Sequence, residues 1–368
     1  MFKIKLLFVI LLLLLNSVLY PQKRIDFTSI DNLMSQIPDS LTRSTSGIAG
    51  FINSNLNNQK DKAYAIFTWI TNNVQYDVDN MFNIEFYQNS INNVAEVLNS
   101  RIGICMHFAD LFKEIATKVG IKSYVILGYT KQHGIIDYIP HSWCAGLVDS
   151  SWYLFDPVWG SGFIQNGKFV KRRNLTYYMT KPKNFIKSHM PFDPLWQFIN
   201  YPITNQEFLN GETSINKSKA YFNFADTLQK HENQSEIDQI ASSIKRIKQN
   251  GIKNVLTFRE IEYLSNKILT VNYNKAVNLY NQGINQFNKS ISIWNQFKPE
   301  KNINTMIRLI DSAEFSLNSS RAKLKEIKNP TGFYNTSINQ LNMSINIAIE
   351  NLIEQKAALD RYQKSRRH

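Results

Sequence analysis

The sequence predicts an α+β fold in which a cysteine-bearing helix packs on an antiparallel sheet, followed by an all-α helical bundle or coiled-coil region. Three observations carry this. The stretch "CMHFADLFKEIATKVG" repeats apolar side chains at Phe108, Leu111, Phe112, Ile115 and Val119, one face of a helix, and stops at Gly120. The runs "HSWCAGLV" and "SWYLFDPVW" read as two strands joined by the turn residues "DSS". From about residue 235 onward strand signals vanish and helical spacing takes over. Helices followed by consecutive strands make an α+β layout, not an alternating βαβ one.

Taken in order, Lys3 and Lys5 precede an unbroken apolar run from Leu6 to Leu15. That run is too short to span a bilayer but fits the core of a signal peptide. Residues 1–22 are expected to be a signal peptide, cleaved between Asn16 and Gln22, or else an uncleaved N-terminal anchor. The chain is therefore expected to be exported, periplasmic or extracellular, and to meet a membrane only if that segment is retained. Residues 23–60 read as a polar lead rich in Ser, Asn and Asp. The apolar positions Ala63, Ile66, Phe67 and Ile70 predict a helix over 61–73, and Val94 to Leu98 a helical turn. "IKSYVILGY" reads as a buried strand. The first domain is expected over 61–210 and a helical region over 235–362.

In that helical region three runs step by three and four residues: Val277 to Trp294, Ile303 to Leu317, and Ile338 to Leu352. Breakers at Pro299 and Pro330 separate them. Short connections predict antiparallel neighbours in a bundle, and the same spacing suits a coiled coil with a protein partner.

With 42 basic and 29 acidic residues the 368-residue chain carries a formal charge of +13. The basic residues cluster only at 171–173 and at the C-terminal "KSRRH". This reads as a solvated basic surface, and no specific nucleic-acid binding is expected. Two cysteines exclude a disulfide framework and a four-cysteine zinc site.

Cys105 is the residue with chemical potential. A nucleophilic cysteine needs its thiolate stabilised, a base within reach, and a third group to orient the base. A helix N-terminus supplies the first, and Gly103 is expected to let the backbone turn tightly into it. His141, opening its strand, is the base candidate. Asp156, late on the next strand, is the orienting candidate. Pairing about Asp149 and Ser150 sets these two opposite each other within one register step. Each residue alone reads as structural: a buried thiol, a strand histidine, a turn aspartate. Their conjunction points to a nucleophilic cysteine.

These residues also carry a family resemblance. Gly103-Ile104-Cys105, His141-Ser142-Trp143 and Asp156-Pro157-Val158-Trp159-Gly160, with Tyr76-Asp77 upstream, resemble the transglutaminase-like superfamily, the papain-like Cys-His-Asp enzymes. Phe185 to Phe198 resembles the stretch after the domain in the kyphoscoliosis peptidase branch and its bacterial relatives. The likeness covers roughly residues 25–210. It implies a papain/transglutaminase-like core with Cys105 as nucleophile, His141 as base and acid, and Asp156 as orienter. It implies a protein or peptide substrate whose amide is cleaved by water or passed to an amine. Superfamily members that have lost triad residues make a catalytically silent, protein-binding module the alternative. Met106 and His107 stand where relatives often carry small or acidic residues, and Cys144 where Asn is common. By strand alternation Cys144 faces away from His141, so no Cys105–Cys144 disulfide is expected.

Animal transglutaminases in the superfamily this sequence resembles use calcium. The loop from Asp77 opens like an EF-hand but has Phe82 and Gln88 at the positions of its glycine and glutamate. His107, His133 and His141 have no recognised zinc spacing. Neither a metal nor a cofactor is expected. Substrate choice is expected to lie in cleft loops such as "TKQHGIIDYIP".

Overall fold

The computed structural model describes residues 27–82, 93–296, 302–328, 330 and 333–365. The signal-peptide reading of 1–22 lies outside them. Among the described residues no helix is long and apolar enough to cross a membrane. The chain divides into two compact units, 1–224 and 225–368. The first has an α+β core and the second is helical.

The stretch read as a polar lead folds as two helices of the first unit, α1 (Phe27–Ser35) and α2 (Thr45–Asn55). Their Ile30, Met34, Ile48 and Ile52 belong to the same core as the cysteine helix. Helix α3 (Gln59–Asn73) starts two residues before the expected Asp61, because Asn58 caps it by accepting the Asp61 N–H at 2.8 Å. Every residue from Ala63 to Thr71 is buried, so α3 is covered on all sides. Helix α4 (Asn93–Ser100) follows, then α5 (Cys105–Lys118), the cysteine helix.

The entry to α5 is held by two short strands, β1 (Gln75–Tyr76) and β2 (Ile102–Gly103), paired in parallel with Tyr76 opposite Gly103. The cap residue Ile104 has no side-chain acceptor. Instead the His107 Nδ1 accepts the Ile104 N–H at 3.0 Å. This corrects the reading of Gly103. It makes no left-handed turn; a Cβ there would lie 2.7 Å from the His107 Cβ and 2.9 Å from Nδ1. Gly103 is small because the capping imidazole lies on it.

The sheet is antiparallel. Strand β3 (Ser123–Gln132) turns into β4 (Ile135–Ile136) and pairs on its other side with β5 (His141–Val148), which pairs with β6 (Ser151–Phe155). Asp149 and Ser150 both take left-handed backbone angles, φ 47° and 61°, and close a two-residue hairpin. The ladder runs from Val148↔Ser151 to Cys144↔Phe155 and ends before His141. The cross-strand pairing expected for His141 and Asp156 is therefore not how they meet. The chain leaves β6 after Phe155 and turns into the short helix α6 (Pro157–Ser161), and that turn brings Asp156 to His141.

A hairpin follows, β7 (Gly162–Gln165) with β8 (Lys168–Lys171). Helix α7 (Pro182–Phe185) leads to β9 (His189–Pro191), which joins the edge of β3. Gly128 of β3 lies between His141 of β5 and Pro191 of β9. Helix α8 (Asn205–Asn210) follows, and α9 (Phe224–Asn233) opens the passage to the second unit.

The second unit contains α10 (Glu236–Gln249), α11 (Val255–Trp294), α12 (Ile303–Glu326) and α13 (Phe333–Ser365). The last three share one core. Met306, Ile310, Ala313, Leu317, Ile338, Leu341, Ile345, Ala348 and Leu352 are buried in it. On α11 the expected Val277, Tyr280, Ile284, Phe287 and Trp294 pack against that core, while Ala276, Gly283 and Ser290 form its buried line. Small residues every seven positions let α12 approach closely. There the buried Ser320 hydroxyl donates to the Ala276 carbonyl at 2.7 Å.

A Cβ at Gly128 would overlap the Met190 carbonyl oxygen and the Trp143 ring. Gly128→Ala is expected to destabilise the chain by about 1–3 kcal/mol, the usual cost of overpacking. The measurement is the urea midpoint of full-length protein, with the β-sheet signal lost first.

Candidate active site

The three residues singled out in the sequence are brought together. Cys105 is the first residue of α5 and is 1% exposed. His141 opens β5 at 7% exposure, and Asp156 is fully buried. The Asp156 Oδ2 accepts the His141 Nε2–H at 2.8 Å. The other face of the imidazole is hydrogen-bonded to the Cys105 thiol. With Nε2 committed to the carboxylate, Nδ1 is the nitrogen that meets sulfur.

Asp156 is the N-cap of α6. Its Oδ1 accepts the Val158 and Trp159 N–H groups at 2.9 and 3.1 Å. Pro157 occupies the first helical position, where a missing N–H costs nothing. The Asp-Pro pair thus builds a rigid cap whose second oxygen is left for imidazoles. Oδ2 takes a second one: the His189 Nε2–H at 3.0 Å. Sequence reasoning passed over His189. It sits on the three-residue strand β9, pairing with Thr130, and no local periodicity marks it.

Burial opposes charge on all three groups, and the partners outweigh it at His141 and Asp156 but not at His189. For His141 the Asp156 charge and hydrogen bond, with the Cys105 contact, overcome burial and raise its pKa to about 10. For Asp156 the two imidazoles overcome burial and hold the carboxyl well below the usual range. For His189 burial wins over the Asp156 hydrogen bond and charge and lowers its pKa to about 4. At neutral pH the arrangement is carboxylate, imidazolium at His141 and neutral imidazole at His189.

Tyr76 lies beside the same site. Burial, then the charges of Cys105, Asp156 and Asp77, keep its phenol protonated far up the pH scale. Cys144 has a different character. Its thiol donates to the Ala109 carbonyl of α5 at 3.3 Å, and burial, aided by Asp110 and Asp156, pushes its pKa well up. Neither cysteine is in a disulfide.

A cleft of about 820 Å³ opens over the site. Tyr76, His141, Trp159 and Tyr177 line its inner part, and Phe163, Phe169 and Arg172 the β7–β8 side. The loop expected to govern specificity forms the opposite wall through Lys131, His133 and Tyr138. Among the described residues, His141, Asp156 and His189 could also hold a metal ion. Their separations of 2.8 and 3.0 Å are ordinary hydrogen bonds that satisfy both imidazoles. In the Asp77 loop the carboxylate accepts the Asn80 backbone and side-chain N–H groups at 3.2 and 2.8 Å; residues 83–92 lie outside those described.

Two outcomes follow from these environments. Cys144 is expected to stay unmodified by iodoacetamide in native protein and to react once the chain is denatured, as peptide mass mapping would read. His107 and His189 both have lowered pKa values, from an ordinary 6.5, so they take up protons on unfolding. Stability should fall as pH drops from about 6.5 toward 4. His141 acts in the opposite sense: its contribution is present below 6.5 and fades as pH rises toward about 10. Urea midpoints at pH 4.5, 7 and 9.5 should be highest at 7, with the alkaline decline reduced in His141→Asn.

Residues 47–157 match the family model of the transglutaminase-like superfamily. Kyphoscoliosis peptidase of Mus musculus is 27% identical over 169 residues, 44% of this chain and 25% of that protein. Hillarin of Drosophila melanogaster is 23% identical over 206 residues, 50% of this chain and 24% of that protein. A solved TGase structure shares 23% identity at a TM-score of 0.26, covering 44% of this chain and 39% of that one. The chain spans about a quarter of the length of these curated relatives. The matched residues run from α2 to the first residue of α6 and include Cys105, His141 and Asp156, so this stretch of the first unit is similar to the transglutaminase-like superfamily.

Proposed function

We propose that the first unit is a cysteine-dependent acyl-transfer enzyme acting on amide bonds of proteins or peptides. The observation that carries this is the unbroken relay from Cys105 thiol to His141 imidazole to Asp156 carboxylate. Cys105 is the nucleophile. In the resting pair His141 already holds the thiol's proton as an imidazolium, which Asp156 orients and stabilises. The thiolate adds to the substrate carbonyl carbon. His141 then protonates the leaving amine as the C–N bond breaks, leaving a thioester on Cys105. Water, deprotonated by His141, releases an acid; a lysine amine gives a new amide.

The oxyanion formed on the way needs donors. The backbone N–H of Cys105, first in its helix, is one. The Tyr76 hydroxyl is the second, supported by its place on the cleft lining and by its persistence in the protonated form. No metal or cofactor takes part in this reading. The N-terminal pattern adds export to the periplasm or the extracellular space. The second unit's helices offer a surface for a protein partner.

A second reading keeps the fold without the chemistry: a silent module used for protein–protein interaction. Its supporting observation is the depth of Cys105, only 1% exposed.

Iodoacetamide alkylation of Cys105, followed from pH 4 to 9 in wild type and His141→Ala, separates the two. The enzyme reading expects fast reaction well below the ordinary thiol pKa of about 8.5. It expects His141→Ala to slow the rate at pH 6 by about three-hundredfold, the inverse of the thiolate fraction of an unassisted thiol there. A Cys105 that is inert, or that titrates as an ordinary thiol in both proteins, establishes the silent module instead.

A further inference from the structure

The relay of thiol, imidazole and carboxylate gives His189 nothing to do, yet His189 is the most completely enclosed imidazole at the site, at 1% exposure. Its Nε2–H points at the oxygen that orients His141, 3.0 Å away. Its Nδ1 faces the Ser188 hydroxyl at 2.8 Å. Its ring is boxed by Phe185 at 4.0 Å, Trp159 at 4.6 Å and Trp143 at 5.2 Å between centroids. It comes from β9, beyond the residues that match the family.

We propose that His189 is a positioning residue for the Cys105–His141–Asp156 site: a second N–H donor that fixes Asp156 Oδ2 in the orientation His141 requires. The proposal rests on the catalytic reading above.

The hydrogen-bond inventory leaves one consistent assignment. An ionised carboxylate only accepts, so His189 carries its proton on Nε2. Nδ1 is then a lone pair, and Ser188 donates to it. Every polar atom of the ring is used with the ring neutral. Neutrality matters because charged groups crowd around it. Asp156 lies at the α6 cap and His141 on β5, while Asp137, in the turn after β4, acts through its charge. A second imidazolium here would compete with His141 for the same carboxylate and weaken the proton affinity of the base. The aromatic box excludes the water that would stabilise such a charge. A neutral donor instead lowers the basicity of Oδ2, so the proton stays on His141 rather than moving to Asp156.

The roles of packing and donation can be separated in full-length protein. His189→Phe fills the box and removes the N–H. His189→Gln places an amide N–H near the Nε2 position. Iodoacetamide alkylation of Cys105 is followed from pH 4 to 9 in wild type, both variants and His141→Ala. His189→Phe is expected to slow alkylation at pH 6 by about ten- to a hundredfold, the range for one hydrogen bond to a charged group, with the acid limb displaced upward. His189→Gln should recover most of the loss. A wild-type profile in His189→Phe, with His141→Ala still impaired, overturns the positioning role and leaves the catalytic reading standing. A wild-type Cys105 with no His141-dependent reactivity overturns the catalytic reading and this proposal with it. Should His189→Phe not fold, nitrogen-15 histidine NMR of the wild type decides. A neutral ring protonated at Nε2 from pH 5.5 to 8 supports the proposal, and an imidazolium or an Nδ1-protonated ring ends it.

Discussion

One carboxylate holds the first unit's chemistry together. Asp156 accepts four hydrogen bonds, two backbone N–H groups at Oδ1 and two imidazoles at Oδ2. Those donors come from α6, β5 and β9. A buried unpaired carboxylate would cost far more than any one of these contacts returns. The arrangement is therefore stable only when complete, and each element's placement is tied to the others through a single side chain.

Much of this was legible in the sequence, for identifiable reasons. The start of α5 at Cys105 and of β5 at His141 follow from local periodicity and from the turn at Asp149 and Ser150. Asp156 was found, but its local geometry was read as strand. The signal for a cap was present, since Asp followed by Pro suits an N-cap and the first helical position. The run of apolar residues in "SWYLFDPVW" masked it. Helices α1 and α2 had readable pairs, Ile30 with Met34 and Ile48 with Ile52, but their Ser and Asn content suggested a solvated lead. His189 had no local signal. Its meaning depends on β9 pairing with β3, a contact of about sixty residues' separation that composition and spacing do not encode.

The two units illustrate two ways of burying polar groups. In the helical unit, Ser320 is satisfied by one carbonyl across a close helix contact, and the small residues Ala276 and Gly283 make the approach that permits it. That polar contact is local to two helices. In the first unit the buried polar groups form a network that spans the sheet. A network in a dry interior polarises its members and punishes any gap. That contrast places the thiol, imidazole and carboxylate cluster in the unit whose buried polar groups depend most on one another.

The edge pairing of β9 with β3 sets the smallest piece of this chain that can act as a unit. The match to the superfamily ends at residue 157, within α6. A fragment cut there would hold Cys105, His141 and Asp156. It would leave the Gly128–Thr130 edge of β3 open and one acceptor site of the central carboxylate empty. During synthesis the same gap exists until residues 189–191 have emerged and docked. The hydrogen bonds to the Asp156 carboxylate are thus completed last, after β9 has closed the sheet edge.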